Sequence, residues 1–162
     1  MKRCAATGFS LLELLVVVTI GSIVTVMALP MTINATKSYR LSAAVSSAAG
    51  AIQSTRYLAI MQGYPGTTAA PYAYEIIFTP ATNSYQVYNM VPPATTFSAV
   101  GTAVPISGPD VVTIGRTATF EFGANGTVYD PSGLMTLQIT NSIGGSNTIN
   151  LTSVGNVTVT SP

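Results

Sequence analysis

The chain has 162 residues, a formal net charge of +1, 7% charged residues, no histidine and one cysteine. Without histidine, imidazole triads and imidazole metal sites are excluded, and one cysteine cannot form a disulfide within the chain. Beyond Pro30, Lys37, Arg40, Arg56 and Arg116 balance Glu75, Asp110, Glu121 and Asp130, so no charge excess steers this part toward nucleic acid or an anionic membrane.

Phe9 to Leu29 is a run of 21 residues in which Glu13 is the only charged side chain. As a helix rising about 1.5 Å per residue it would span roughly 30 Å, one hydrocarbon core. Lys2 and Arg3 precede it, and the positive-inside bias keeps that end cytoplasmic and sends the remainder outward. The run is longer than a secretory signal core and exits through Ala28-Leu29-Pro30, a poor cleavage site. A plain anchor leaves Glu13 unexplained, because a carboxylate at membrane depth costs roughly 3 kcal/mol and marks a functional position. Gly21 and Pro30 make 21–30 the segment expected to kink or unwind.

Gly8-Phe9-Ser10-Leu11-Leu12-Glu13-Leu14 joins a short basic leader, a glycine, an aromatic, and an acid five places beyond the glycine. This resembles the N-terminal signature of type IV pilins and the pseudopilins of type II secretion. The resemblance implies cleavage by a prepilin peptidase between Gly8 and Phe9 and methylation of the new Phe9 amine. Cys4 would leave with the leader. Glu13 would then pair with the Phe9 amine of a neighbouring subunit and set the axial register, since neither charge can stay unpaired in a packed helical bundle.

Helical spacing returns between Met31 and Gln62, where Leu41, Val45, Ala48, Ile52, Thr55 and Ala59 alternate in steps of four and three. Gly63 suits a C-terminal cap and Pro65 blocks continuation. Lys37, Arg40 and Arg56 are expected to be solvated. After Pro71 the pattern becomes that of strands. Ala73–Thr79 and Tyr85–Met90 flank Pro80-Ala81-Thr82-Asn83 as a hairpin. Val91 to Pro109 contains four prolines and reads as a long loop or irregular edge. Val111–Ile114, Thr117–Phe122, Thr127–Tyr129 and Leu134–Asn141 follow, with turns at Asn125-Gly126 and Asp130-Pro131-Ser132-Gly133. Thr148–Thr152 and Val157–Thr160 close the chain as a hairpin. The tyrosines Tyr72, Tyr74, Tyr85 and Tyr88 are expected in core and edge packing, and the acids Glu75, Asp110, Glu121 and Asp130 as isolated, solvated groups.

The order of a long helix with Arg56-Tyr57-Leu58-Ala59-Ile60, a hairpin, Phe120-Glu121-Phe122-Gly123-Ala124-Asn125-Gly126-Thr127, and a final Leu151–Val159 hairpin is similar to the GspH/FimT-like minor pseudopilins. Some FimT-like members bind DNA through a Gly-Arg-x-Arg motif in the last hairpin. The matching positions here read Gly155-Asn156-Val157-Thr158, and duplex binding needs Lys or Arg on phosphates.

The expectation is an α+β chain: a long N-terminal helix, membrane-spanning in its first half and kinked near Pro30, packed on an antiparallel β-sandwich or two-sheet domain of seven or eight strands. Residues 1–8 form the leader, 9–30 the transmembrane and assembly helix, 31–63 its amphipathic second half, and 64–162 the β-rich domain. Function is expected in a type II secretion pseudopilus or type IV pilus, as a minor structural subunit and not an enzyme. No catalytic, metal, cofactor or DNA-binding residue is assigned. The partners are prepilin peptidase, other pilin or pseudopilin subunits and the inner membrane, with the β domain in the periplasm. A membrane-anchored adhesin and a FimT-like DNA-uptake pilin are the alternatives.

Overall fold

The computed structural model describes residues 10–62, 72–91, 94, 96–106 and 112–161. The chain falls into two units, residues 1–36 and 37–162, and one helix, α1 (Leu11–Gln62), contributes to both.

In the first unit α1 is a rod of apolar side chains whose few hydroxyls bond to their own backbone. Thr19 donates to the Leu15 carbonyl at 2.7 Å, Thr25 to Gly21 at 2.8 Å and Thr32 to Ala28 at 3.1 Å. Back-bonding of this kind hides hydroxyls in a setting without water. The helix continues through Pro30, so it does not stop at Leu29. Proline supplies no amide there, which leaves the Val26 carbonyl without its usual helical donor.

In the second unit the end of α1 buries Leu41, Ala44, Val45, Ala48, Ala51, Ile52, Thr55 and Ala59. All six residues of the expected stripe are among them, and Ala44 and Ala51 widen it. Thr55, the one polar member, donates to the Ala51 carbonyl at 2.8 Å and so enters the core satisfied.

Nine strands follow among the described residues: β1 (Tyr74–Thr79), β2 (Ser84–Asn89), β3 (Ser98–Pro105), β4 (Val112–Ile114), β5 (Ala118–Phe122), β6 (Val128–Tyr129), β7 (Thr136–Asn141), β8 (Ser146–Leu151) and β9 (Val157–Thr160). They form a five-stranded sheet, β3-β2-β1-β5-β6, and a four-stranded sheet, β4-β7-β8-β9. Every pairing is antiparallel. The α+β expectation of a helix on two sheets therefore holds, with one strand more than the seven or eight expected.

The additional strand is β3, within the stretch read as loop or irregular edge. It lies at the margin of the larger sheet, all eight residues are exposed, and its register against β2 shifts between Tyr85 and Val87. A strand paired on one side and wet on both faces has no reason to alternate in hydrophobicity, so no period-two signal marks it.

Strands β1 and β5 alternate cleanly, burying Tyr74, Ile76 and Phe78 beside Ala118, Phe120 and Phe122. Phe78 and Phe120 meet edge to face at 6.2 Å, and Phe78 also touches the ring of Tyr85 at 5.8 Å. Ile139, Ile149 and Leu137 complete the core from the smaller sheet. Asn83, in the β1–β2 turn, joins the sheets: its Nδ2 donates to the Val112 carbonyl at 2.6 Å, and its Oδ1 accepts from the Ile114 amide at 3.2 Å. It adopts a left-handed conformation, φ 48°, which asparagine tolerates better than most residues.

Candidate functional site

The start of α1 is built by a four-residue pattern that periodicity alone does not reveal. Ser10 stands immediately before the helix, and Glu13 is its third residue. Ser-x-x-Glu is the capping-box sequence, of which the serine half is made here. The Leu12 amide lies 3.4 Å from Ser10 Oγ, and the Glu13 and Leu14 amides reach the Ser10 carbonyl at 3.0 and 3.2 Å. A first-turn carboxylate also complements the helix dipole. Glu13 thus has a local reason to sit where it does, besides any partner on another chain.

Beyond Glu13 the helix has no partner for its apolar surface. From Leu11 to Ile33 each large hydrophobic side chain is between 44% and 83% exposed. A Cβ placed on Gly21 would meet nothing within 4 Å. By length and hydropathy the helix can cross a membrane. A water-exposed rod of leucine and valine is unfavourable at about 25 cal/mol per Å², so lipid or other helices must cover it. Gly8 and Phe9, the expected cleavage and methylation positions, lie outside the described residues, as do Gly63, Pro65 and Asp110.

The chain carries a prokaryotic N-terminal methylation motif, matched over residues 3–29. The methylation-motif segment therefore takes in Arg3, the Gly8-Phe9 pair, Glu13 and the apolar helix as far as Leu29. The motif is of the type IV prepilin-like kind. No curated protein and no solved structure matches the chain.

Away from the methylation-motif segment, tertiary structure corrects the expectation that Arg56 and the acids Glu75, Glu121 and Asp130 are solvated and isolated. Arg56 leans from α1 onto two turns. Its Nε donates to the Gly126 carbonyl at 3.1 Å and its Nη2 to the Val154 carbonyl at 2.9 Å. Gly126 and Gly155, at φ +79° and +83°, leave room for this: a Cβ on Gly126 would crowd Ile60 at 3.1 Å, and one on Gly155 would overlap the guanidinium itself. The last hairpin thus receives an arginine from the helix, with two of its donors turned onto backbone carbonyls.

Asp130 is the second correction. Its side chain is 0% exposed and lies 3.7 Å from Arg116 Nη2. Its Oδ1 accepts from the Ser132 amide at 2.7 Å and hydroxyl at 2.6 Å, and its Oδ2 from the Met135 amide at 3.0 Å. Arg116 also donates to the Thr136 carbonyl. The expected Asp130–Gly133 turn is thus present, but folded around a buried acid.

The third correction concerns Glu75 and Glu121, which are directly opposite in the β1–β5 ladder. Both are half-buried, among tyrosines: Tyr88 faces Glu75 across β2, and Tyr129 faces Glu121 across β6. Tyr72 stacks on Tyr129 at 5.5 Å with the planes 8° apart. Burial, and then the charge of Glu121, pushes Glu75 above the ordinary carboxylate range, while burial raises Glu121. Tyr72 rises for the same reasons, burial first and then the charges of Glu121 and Tyr129. Of the four tyrosines expected in packing, Tyr74 is buried and Tyr85 packs on the core, whereas Tyr72 and Tyr88 border this acidic pair. Only strand register could have paired the two acids. Among the described residues no three His, Cys, Asp or Glu side chains are grouped to hold a metal ion.

Proposed function

We propose that the chain is a prepilin that matures into a minor subunit of a type II secretion pseudopilus or type IV pilus, of the GspH/FimT-like kind. Prepilin peptidase cuts between Gly8 and Phe9 and methylates the Phe9 amine. The protein waits as a single-pass inner-membrane protein with its β domain in the periplasm. It then enters a filament by packing its apolar helix against those of other subunits, with Glu13 pairing the Phe9 amine of a neighbour. Gly21 and Pro30 are where the helix bends or opens on packing. The β domain presents contacts to other subunits.

The observation that carries this reading is the methylation motif over residues 3–29, on a helix whose large apolar side chains from Leu11 to Ile33 are all uncovered. The test is mass spectrometry of the protein recovered from the membrane. A mature chain beginning at N-methylated Phe9 is expected. A functional chain still beginning at Met1, or one starting beyond Ala28, would overturn the reading.

A further inference from the structure

Between the uncovered apolar run and the buried stripe, α1 changes chemistry. The run from Leu11 to Ile33 rises about 33 Å, against about 30 Å for a hydrocarbon core, so Ile33 stands at the boundary of that core. Asn34, Ala35, Thr36 and Lys37 follow, none of them large and apolar. Tyr39, 75% exposed, and Arg40, also exposed, come next, before the buried stripe begins at Leu41. Lys37 and Arg40 are both cations. Among the described residues the one ion pair is Arg116–Asp130, so no acid is paired with either.

We propose that Lys37 and Arg40 bind the phosphates of anionic phospholipid headgroups at the membrane surface where the helix emerges. The headgroup layer adds about 5–7 Å outside the core on each side, and Lys37 lies one helical turn, about 6 Å, beyond Ile33. Even a fully extended link of that length reaches only about 14 Å, so Lys37 stays at the surface however the domain is turned. Arg40, about 10 Å beyond Ile33, can return its long side chain to the same layer. A phosphate supplies acceptors to both cations, and to the guanidinium it can do so bidentately. Tyr39 adds an amphipathic ring at the depth where tyrosines collect in membrane proteins. It occupies a different face of the helix from the two cations, but headgroups surround a lone helix on every side, so no common face is needed.

The site rests on the membrane-spanning reading of α1 and adds to it the lipid that the waiting subunit prefers and the contacts that fix its depth. Entry into a filament then requires release of these headgroups. The chain has no tryptophan, so Ile33→Trp supplies a single reporter. Position 33 is 53% exposed and, being four residues before Lys37, lies on the same side of the helix. Full-length protein with this substitution is reconstituted into vesicles of phosphatidylcholine with a minor share of phosphatidylglycerol. A nitroxide quencher is carried high on the acyl chain of one lipid or of the other.

Labelled phosphatidylglycerol should be favoured about fivefold at the tryptophan, the gain from one basic residue per anionic lipid near the surface. K37Q with R40Q should abolish the preference, whereas Lys37→Arg with Arg40→Lys, which keeps both charges, should preserve it. Equal quenching by the two lipids, or a preference indifferent to the glutamine pair, would overturn the headgroup site. Inorganic phosphate and chloride at equal ionic strength should screen alike; loss of the preference in phosphate alone would assign the cations to a free phosphate and sink the lipid assignment. No preference in vesicles, with filament entry blocked by the glutamine pair, would give the cations to another subunit instead. The two readings fail differently. A tryptophan that neither lipid quenches sinks the membrane-spanning reading, and equal quenching by both leaves that reading intact and sinks the headgroup site alone.

Discussion

Gly155→Ala isolates what Arg56 contributes to holding the last hairpin on the helix. Two separate costs are expected. Gly155 has φ +83°, and alanine in the left-handed region is destabilising by roughly 1 kcal/mol. Its Cβ would also overlap the Arg56 guanidinium, forcing it off the Val154 and Gly126 carbonyls it holds at 2.9 and 3.1 Å. Each of those bonds is partly solvated and is worth about 1 kcal/mol. The sum is about 3 kcal/mol, or roughly 10 °C in Tm for a domain of this size. Gly133→Ala is the control, since Gly133 shares the backbone conformation at φ +72° but a Cβ there meets nothing within 4 Å. It should cost only the backbone part, about 1 kcal/mol. The assay is thermal unfolding of the full-length protein in detergent, followed by tyrosine near-UV circular dichroism. In an Arg56→Ala background, Gly155→Ala should fall to the cost of Gly133→Ala, because the contact it destroys is already gone. Equal losses for the two glycines in the wild-type background would refute the account.

Asp130→Asn places a donor among the amides that Asp130 now accepts from and removes the charge facing Arg116, and should destabilise by about 2–4 kcal/mol; a change in Tm within error would count against a structural role for the buried acid. Asn83→Ala leaves the Val112 carbonyl and Ile114 amide without their side-chain partner between the sheets, again about 2–4 kcal/mol, and hydrogen exchange at the Ile114 amide should accelerate ahead of that in β1. The raised Glu75 and Glu121 titrations have a definite sign. A carboxyl with a higher pKa folded than unfolded binds more protons when folded, so stability falls as pH rises from the ordinary carboxylate value through the raised one. Glu121→Gln should therefore raise Tm at neutral pH and flatten its decline above the acid range; a lower Tm at pH 7 would show the carboxylate to be stabilising there.

The helix and most strands were legible because their signals are local. A four-three stripe from Leu41 to Ala59 can bury only one face, and β1, β5 and β7 announce themselves by alternation. Strand β3 was not, because an edge with both faces in water places no demand on side-chain order. The side chains that matter most beyond the helix were misread for a related reason. Whether Arg56, Asp130 or Glu75 is solvated depends on what distant parts of the chain, or a neighbouring strand, bring to it. Arg56 meets Gly126 and Val154 only after the domain closes, and Glu75 meets Glu121 only through register. Asp130 was a partial exception: its turn was visible from Pro131 and Gly133, but not the burial that the turn produces.

The place of Glu13 in the first turn of α1 changes how the Glu13 test must be designed. A first-turn carboxylate gains about 0.3–1 kcal/mol from the helix dipole, and Glu13 is in the first turn of the helix. In a lone anchored chain that places it near the headgroups, where a carboxylate costs less than the roughly 3 kcal/mol of the bilayer centre. The dipole can therefore offset part of that cost before assembly, and no partner is required at that stage. Once helices pack against one another, water no longer reaches the carboxylate and the dipole does not neutralise it. On the proposed reading the two roles act in succession. Glutamine carries no charge, so Glu13→Gln loses only the small dipole contribution in the lone chain; it should insert and be processed normally yet fail to enter the filament. Normal incorporation of the glutamine variant would mean that Glu13 serves its own helix alone.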